Sequence, residues 1–324
     1  MEITDLTDRF GLLLVGLVAF AAVLMALYGI AELASRRNRS KLVAFIFLLP
    51  AVLFLAVGLV YPAIRTLFMS FYNKDGSEFI GLDNYHWALT DPSALQTLIN
   101  TALWIIVVPL VSTALGLLYA VLIDGRRGER TYKALVFLPM GISFVGASII
   151  WRFVYQYNGT GEQIGLLNQL LVWVGIEPVN WLNTFPINNF LLMVVLIWIE
   201  VGFATVVLSA ALKGVPTEII EAARIDGANS SQIFWNVTVP SIRSAIIVVA
   251  VTVFIATLKL FDIVRAMTRG EHKTDVLAHN MWDQALRLGN DGRGATMAVL
   301  LFALVIPVVI YQVYNVRRQQ LEAR

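Results

Sequence analysis

At 324 residues, the chain is 58% hydrophobic and only 14% charged, with a mean hydropathy of +0.74. Soluble domains carry about a quarter charged residues to meet water, so this composition excludes an ordinary water-soluble globule and fits a lipid solvent. A formal charge of +2 with no concentrated basic face gives no nucleic-acid signal, and the absence of cysteine removes disulfides, thiolate metal sites and thiol chemistry.

A spanning helix needs about 20 mostly apolar residues, because every backbone polar group must be satisfied internally. Seven stretches qualify, near 10–33, 42–63, 95–122, 133–155, 187–211, 244–264 and 295–315. The expected fold is therefore all-α, a multi-pass membrane protein of seven transmembrane helices. Ahead of the first stretch stand Glu2, Asp5 and Asp8 against Arg9 alone, the wrong charge for a secretory leader, and the apolar run is too long for one. It reads as a retained span. The third stretch holds Pro109 and Gly116, which predict a kink or tilt.

Basic residues set the orientation. Arg36, Arg37, Arg39 and Lys41, then Arg126, Arg127, Arg130 and Lys133, then Arg317, Arg318 and Arg324 all fall on one side when seven spans alternate. The connection 156–186 has no Lys or Arg, as an outer one should. The segment 265–293 dissents with five basic residues, which Glu271, Asp275, Asp283 and Asp291 accompany. The expectation is an outer N-terminus and a cytoplasmic C-terminus.

Connections in helical bundles are usually short, yet residues 212–243 separate the fifth and sixth spans on the inner side. Thr217 is a plausible N-cap, with Glu218 and Glu221 near the helix start, where the dipole favours negative charge. Ile219, Ala222 and Ala223 form a small apolar stripe. Gly227 can take the left-handed conformation that ends such a helix. Asn229 or Ser230 can then cap a second helix carrying Ile233, Phe234 and Val237, which stops at Pro240. An amphipathic pair resting on the membrane is one reading. A docking knob, with small alanines at its apex and Glu221 and Asp226 as anchors, is the other.

The run EAARIDGA followed by FWNVTVP resembles the "EAA" coupling loop of membrane subunits of ATP-binding-cassette (ABC) importers, through Glu221, Ala222, Ala223, Asp226, Gly227 and Pro240. The resemblance extends over residues 42–324. LLPAVLFLAVGLVYPAIRTLFMSFYN, YKALVFLPMGISFVGASIIWRFVY, LKLFDIVRAMT and the closing YNVRRQQLEAR look like the longer permease subunit of maltose/α-glucoside importers. Arg269-Gly270-Glu271 replaces a Gly-Gly-Pro common among relatives. The resemblance implies a six-helix type I importer permease domain over 42–324, with residues 1–41 an extra anchor helix and its basic connection.

It also implies an inner-membrane assembly: a second permease subunit, two ATPase subunits and an extracytoplasmic sugar-binding protein. The chain would form half the pathway for an α-glucoside or oligosaccharide and perform no catalysis itself. No G-x-x-x-x-G-K-[ST] run exists to cradle nucleotide phosphates, so ATP and magnesium would be used by the partner ATPase, and no cofactor is expected on this chain. His86, His272 and His279 form no metal-binding pattern.

Glu200 lies mid-span beside Trp198. An ionisable group at that depth costs about 2.5–3.5 kcal/mol on insertion scales and normally faces a cavity or partner. A carboxylate accepts sugar hydroxyls, and an indole offers an apolar face. The two would share one ligand only if the helix breaks near Gly202, because i and i+2 point apart; the alternatives are an interhelical hydrogen bond and simple packing. Lys259 and Asp262, spaced i, i+3, read as an ion pair on a candidate pocket wall. Asn100 and Thr101 read as interhelical hydrogen-bonding residues, and Arg152 as a snorkelling side chain. An ion-driven secondary transporter, which would show internal repeats, and a multispan membrane enzyme are the competing functions.

Overall fold

Apolar stretches become helices wherever caps and prolines allow, and the computed structural model describes residues 40–322 together with Val15, Val18, Met25 and Tyr28. The expected first span at 10–33, apart from those positions, and most of the basic segment after it lie outside the described residues. Residues 1–66 and 67–324 form two units. In the first, α1 (Ser40–Leu55) passes through a π-helical turn at Ala56–Val60 into α2 (Tyr61–Met69), whose last turn belongs to the second unit. Every side chain from 51 to 65 is exposed. A helix apolar on all sides belongs in lipid or against other membrane helices.

The second unit is built on two long helices, α4 (Pro92–Ile123) and α8 (Ile187–Lys213), reached after the short α3 (Asp83–Thr90). Asp91 caps α4 by accepting from the Ser93 and Ala94 amides at 3.0 Å, and Pro92 fits the first turn. The helix continues unbroken through Pro109 and Gly116. Gly116 is where α4 meets α8: a Cβ there would lie 3.0 Å from the Ala204 carbonyl carbon and the Thr205 nitrogen. Small residues at such a crossing let backbones approach closely in a membrane. Trp104, Val108, Leu192, Leu196, Ile199 and Leu208 fill the resulting core.

Of the helices long and apolar enough to cross a membrane, Phe47–Met69, Pro92–Ile123, Ile187–Lys213 and Asp291–Tyr314 are continuous among the described residues. The expected fourth span, 133–155, is instead α5 (Glu129–Phe137), a 3₁₀ turn at Leu138–Gly141 and α6 (Phe144–Val154), bent by 101°. The cause is local: Pro139 starts the tight turn, and Ser143 caps α6 by accepting from the Gly146 amide at 3.1 Å.

The expected sixth span, 244–264, also divides. α12 (Arg243–Leu258) ends at Lys259, and Asp262 opens a separate α13 (Asp262–Met267), where its charge suits the helix start. The last helix, which follows α14 (Leu277–Trp282), runs over Asp291–Glu322 as α15. It begins earlier than hydropathy indicates because Asn290 accepts from the Arg293 amide at 3.0 Å.

Residues 156–186 carry α7 (Leu166–Trp173) and are tied by Asn168, whose amide donates to the Gln156 and Val179 carbonyls. The segment 259–290 is tied to the long helices. Asn100 donates to the Lys273 and Asp275 carbonyls, both at 2.8 Å, and accepts from Gln96 and Asn189, while Trp104 donates to Asn189 at 2.7 Å. Thr101 accepts from the Leu277 amide at 2.9 Å. These are helix-to-loop as well as helix-to-helix bonds, all four Asn100 valences being used. Asn100→Ala should lower stability by about 2–3 kcal/mol, because it orphans buried partners; thermal unfolding in detergent reads this as a lower midpoint. Farther along the segment, the Arg287 guanidinium bonds Asp283, at 2.7 Å through its second nitrogen, and holds that carboxyl below the usual range.

Candidate functional site

One candidate site is the hairpin after α8. α9 (Thr217–Ile225) starts with Pro216, not Thr217, as N-cap, because Pro216 already has the extended backbone of a cap and Thr217 accepts nothing from the first turn. Glu218 is in the first turn and Glu221 lies one turn on. The helix ends in a Schellman motif: Gly227 takes φ +85° and donates to the Arg224 carbonyl, and Ala228 donates to the Ala223 carbonyl, both at 3.0 Å. Two residues later Asn229 accepts from the Gln232 amide at 2.9 Å while Gln232 accepts from the Asn229 amide at 2.8 Å. This capping box starts α10 (Ser230–Ile233). A stop and a start set back to back fix the angle of the hairpin.

The chain then winds through a π-helical turn at Phe234–Thr238 into α11 (Val239–Ser241). Helical winding therefore passes through Pro240 instead of stopping there, since proline fits the first turn of a helical segment. A 67° bend at Ile242 leads to α12. Glu221, Ala222, Asp226 and Gly227 are all exposed, Ala223 is half-buried, and Ile225 is 86% exposed. Within the stripe, Ile219 and Ala222 are exposed, and only Ala223 is partly covered by this chain. At the root of the hairpin, Glu129 at the start of α5 bonds both Lys133 at 2.6 Å and Lys213 at 2.5 Å.

The intramembrane residues are arranged differently from expectation. α8 is unbroken across Gly202, whose missing side chain admits the Val136 carbonyl; a Cβ would also lie 2.9 Å from Phe137 Cα. Close helix packing, not a break, accounts for this glycine. Trp198 and Glu200 therefore point to different sides. Trp198 meets Trp151 edge-to-face at 5.7 Å, and Trp151 packs on Tyr155 at 5.2 Å. Glu200 is buried and bonds no described residue. Lys259 and Asp262 form no ion pair: Lys259 is exposed beyond the end of α12, and Asp262 belongs to the next helix, so helical i, i+3 geometry does not apply. Arg152 reaches the Ala266 carbonyl at 3.3 Å.

A feature the sequence does not announce is a cavity of about 660 Å³ at the opposite end of α8 from the hairpin. Tyr155, Gln156, Asn180, Asn183, Glu271 and His272 line it, from three segments far apart in the chain. Only the amide-rich, cation-free composition of 156–186 hints at it. Its wall at 269–273 is strained, with Arg269, His272 and Lys273 at φ 58°, 54° and 62°. Each such residue costs about 1 kcal/mol or more unless its surroundings hold it. Asn188 of α8 does so by donating to the His272 carbonyl at 2.9 Å, as Asn100 of α4 does to Lys273.

Residues 112–320 match a family model described as binding-protein-dependent transport system inner membrane component. Over 275 residues the chain is 47% identical to the osmoprotective compounds uptake permease protein GgtC of Synechocystis sp., covering 85% of this chain and 99% of that protein. Over 277 residues it is 48% identical to the alpha-glucoside transport system permease protein AglF of Rhizobium meliloti, covering 85% and 82%. A solved chain of a bacterial ABC transporter that imports alginate superposes with a TM-score of 0.73 at 21% identity, over 89% of this chain and 99% of that one.

Proposed function

The chain belongs to the family of binding-protein-dependent transport system inner membrane components, and on that footing we propose that it is the permease subunit of an ATP-driven importer of α-glucosides or related oligosaccharides. It is a transport subunit, not an enzyme. The observation that carries the sugar assignment is the 48% identity to an alpha-glucoside permease across 85% of the chain. In this reading residues 42–324 form the importer domain in the cytoplasmic membrane, residues 1–41 add an anchor, and the C-terminus is cytoplasmic. A second permease subunit completes the pathway, two ATPase subunits use ATP and magnesium, and an extracytoplasmic protein delivers the sugar.

The coupling surface is the apex formed by Glu221, Ala222, Ala223, Asp226 and Gly227, with Pro240 in its second arm. Its doubly capped turn supports this role, because a rigid hairpin passes displacement to α8 and α12 where a flexible loop would absorb it. Glu200 is assigned to the pathway. A buried carboxylate that bonds no described residue is open to water, sugar or a neighbouring subunit. Trp198, Gly202, Lys259 and Asp262 belong to the pathway wall, Gly202 through packing.

Reconstitution tests the reading. Uptake of labelled trehalose or sucrose into proteoliposomes should require ATPase subunits, ATP and binding protein together. Uptake by this chain alone under an ion gradient would contradict it. Glu200→Gln should lower uptake about tenfold, the effect of one lost charged hydrogen bond, at unchanged assembly; undiminished uptake would remove Glu200 from the pathway.

A further inference from the structure

We propose that the cavity between the end of α6, residues 180–183 and residues 267–272 is a receiving site for the sugar, occupied before the sugar enters the membrane. This deepens the importer reading and rests on it. The cavity's size, about 660 Å³, falls within the about 300–1,000 Å³ of small-ligand sites.

The chemistry of the wall selects the ligand. The side chains of Gln156, Asn180, Asn183, Glu271 and His272 bond no described residue, whereas nearby Asn100, Asn168, Asn188 and Asn189 are all engaged in holding the backbone or one another. Amides, a carboxylate and an imidazole with free donors and acceptors match a ligand dense in hydroxyls. Tyr155, with Ile149, Phe153, Leu182 and Met267, supplies the apolar complement. Its ring continues into Trp151 and Trp198, an aromatic series that leads from the cavity to α8. Sugars present both hydroxyls and apolar ring faces, which this mixture of polar and apolar groups matches; Arg152, on the same wall, donates to the Ala266 carbonyl.

The wall is also mechanically tied to the transport helices. Asn188 of α8 and Asn100 of α4 grip the carbonyls of His272 and Lys273, both in left-handed conformations. A tilt of either helix therefore moves the wall. The site would hold sugar in one state of the helices and lose its shape in the other.

The test uses the whole transporter in nanodiscs without its binding protein, with labelled trehalose and sucrose as probes in equilibrium binding. Saturable binding is expected, weakened about tenfold by Asn183→Ala with Glu271→Ala. ATPase stimulation by the binding protein should persist. Glu271→Gln alone, an exposed and nearly isosteric change, should give a smaller loss and guards against misfolding. Sugar binding that is absent in the parent transporter, or unchanged in both variants, would overturn the proposal. So would loss of binding-protein stimulation with sugar binding intact, which would make this wall a protein-docking face. Failure of the parent transporter to take up sugar with ATP would instead remove the importer reading.

Discussion

Gly227→Val should reduce ATP-driven uptake by tenfold or more while leaving the inserted protein nearly as stable as the parent. Gly227 holds φ +85° at the Schellman stop, and no atom lies within 4 Å of where a Cβ would be. The substitution therefore meets no clash. Its cost is conformational, about 1–3 kcal/mol for a β-branched residue forced into left-handed backbone, and the chain relieves it by reopening the turn. The two hydrogen bonds that end α9 are lost, and the angle to the capping box at Asn229 is no longer set. ATPase activity in the complex should persist while sugar movement falls. Equal losses of thermal stability and uptake would show that the turn supports the fold, not coupling.

A larger effect on folding is expected at Gly116. Gly116→Leu places a branched side chain where a single Cβ already meets Ala204 and the Thr205 backbone. Backbone atoms cannot rotate away, so α4 and α8 must separate along their crossing. Overpacking of this kind costs about 3 kcal/mol, and separation also loosens the core around Leu208 and Ala204. The variant should lose much of its folded yield and unfold at a markedly lower temperature in detergent. Near-parental stability would mean that the two helices are not held together at this glycine.

These two glycines show what could be read in advance. Gly227 announced itself because a helix stop and an N-cap follow each other within three residues, and local backbone chemistry decides both. Gly116 registered only as a kink signal, since its role depends on which helix crosses α4. The six apolar stretches that fall within the described residues all lie on helical chain, because hydropathy over about 20 residues reports lipid compatibility directly. The same averaging concealed the 101° bend within 133–155, although Pro139, Gly141 and Ser143 stood in the sequence as punctuation. Lys259 and Asp262 misled for a related reason: i, i+3 spacing implies contact only inside one helix, and the helix ends between them. The cavity was hidden because Tyr155, Asn183 and His272 meet only after the long helices are docked. Glu200 was legible as an oddity of depth, and its lack of a described partner keeps that oddity open to a ligand or neighbouring subunit.

Because the sequence has no cysteine, one substitution provides a unique chemical handle. Ala222→Cys on the exposed apex, in the complete transporter with a thiol-to-amine crosslinker of short reach, tests most directly whether the hairpin carries force from the ATPase. A crosslink to an ATPase subunit that persists through nucleotide binding and hydrolysis is the predicted result. An apex that stays fully open to a water-soluble maleimide, and joins no ATPase subunit in any nucleotide state, would contradict the account.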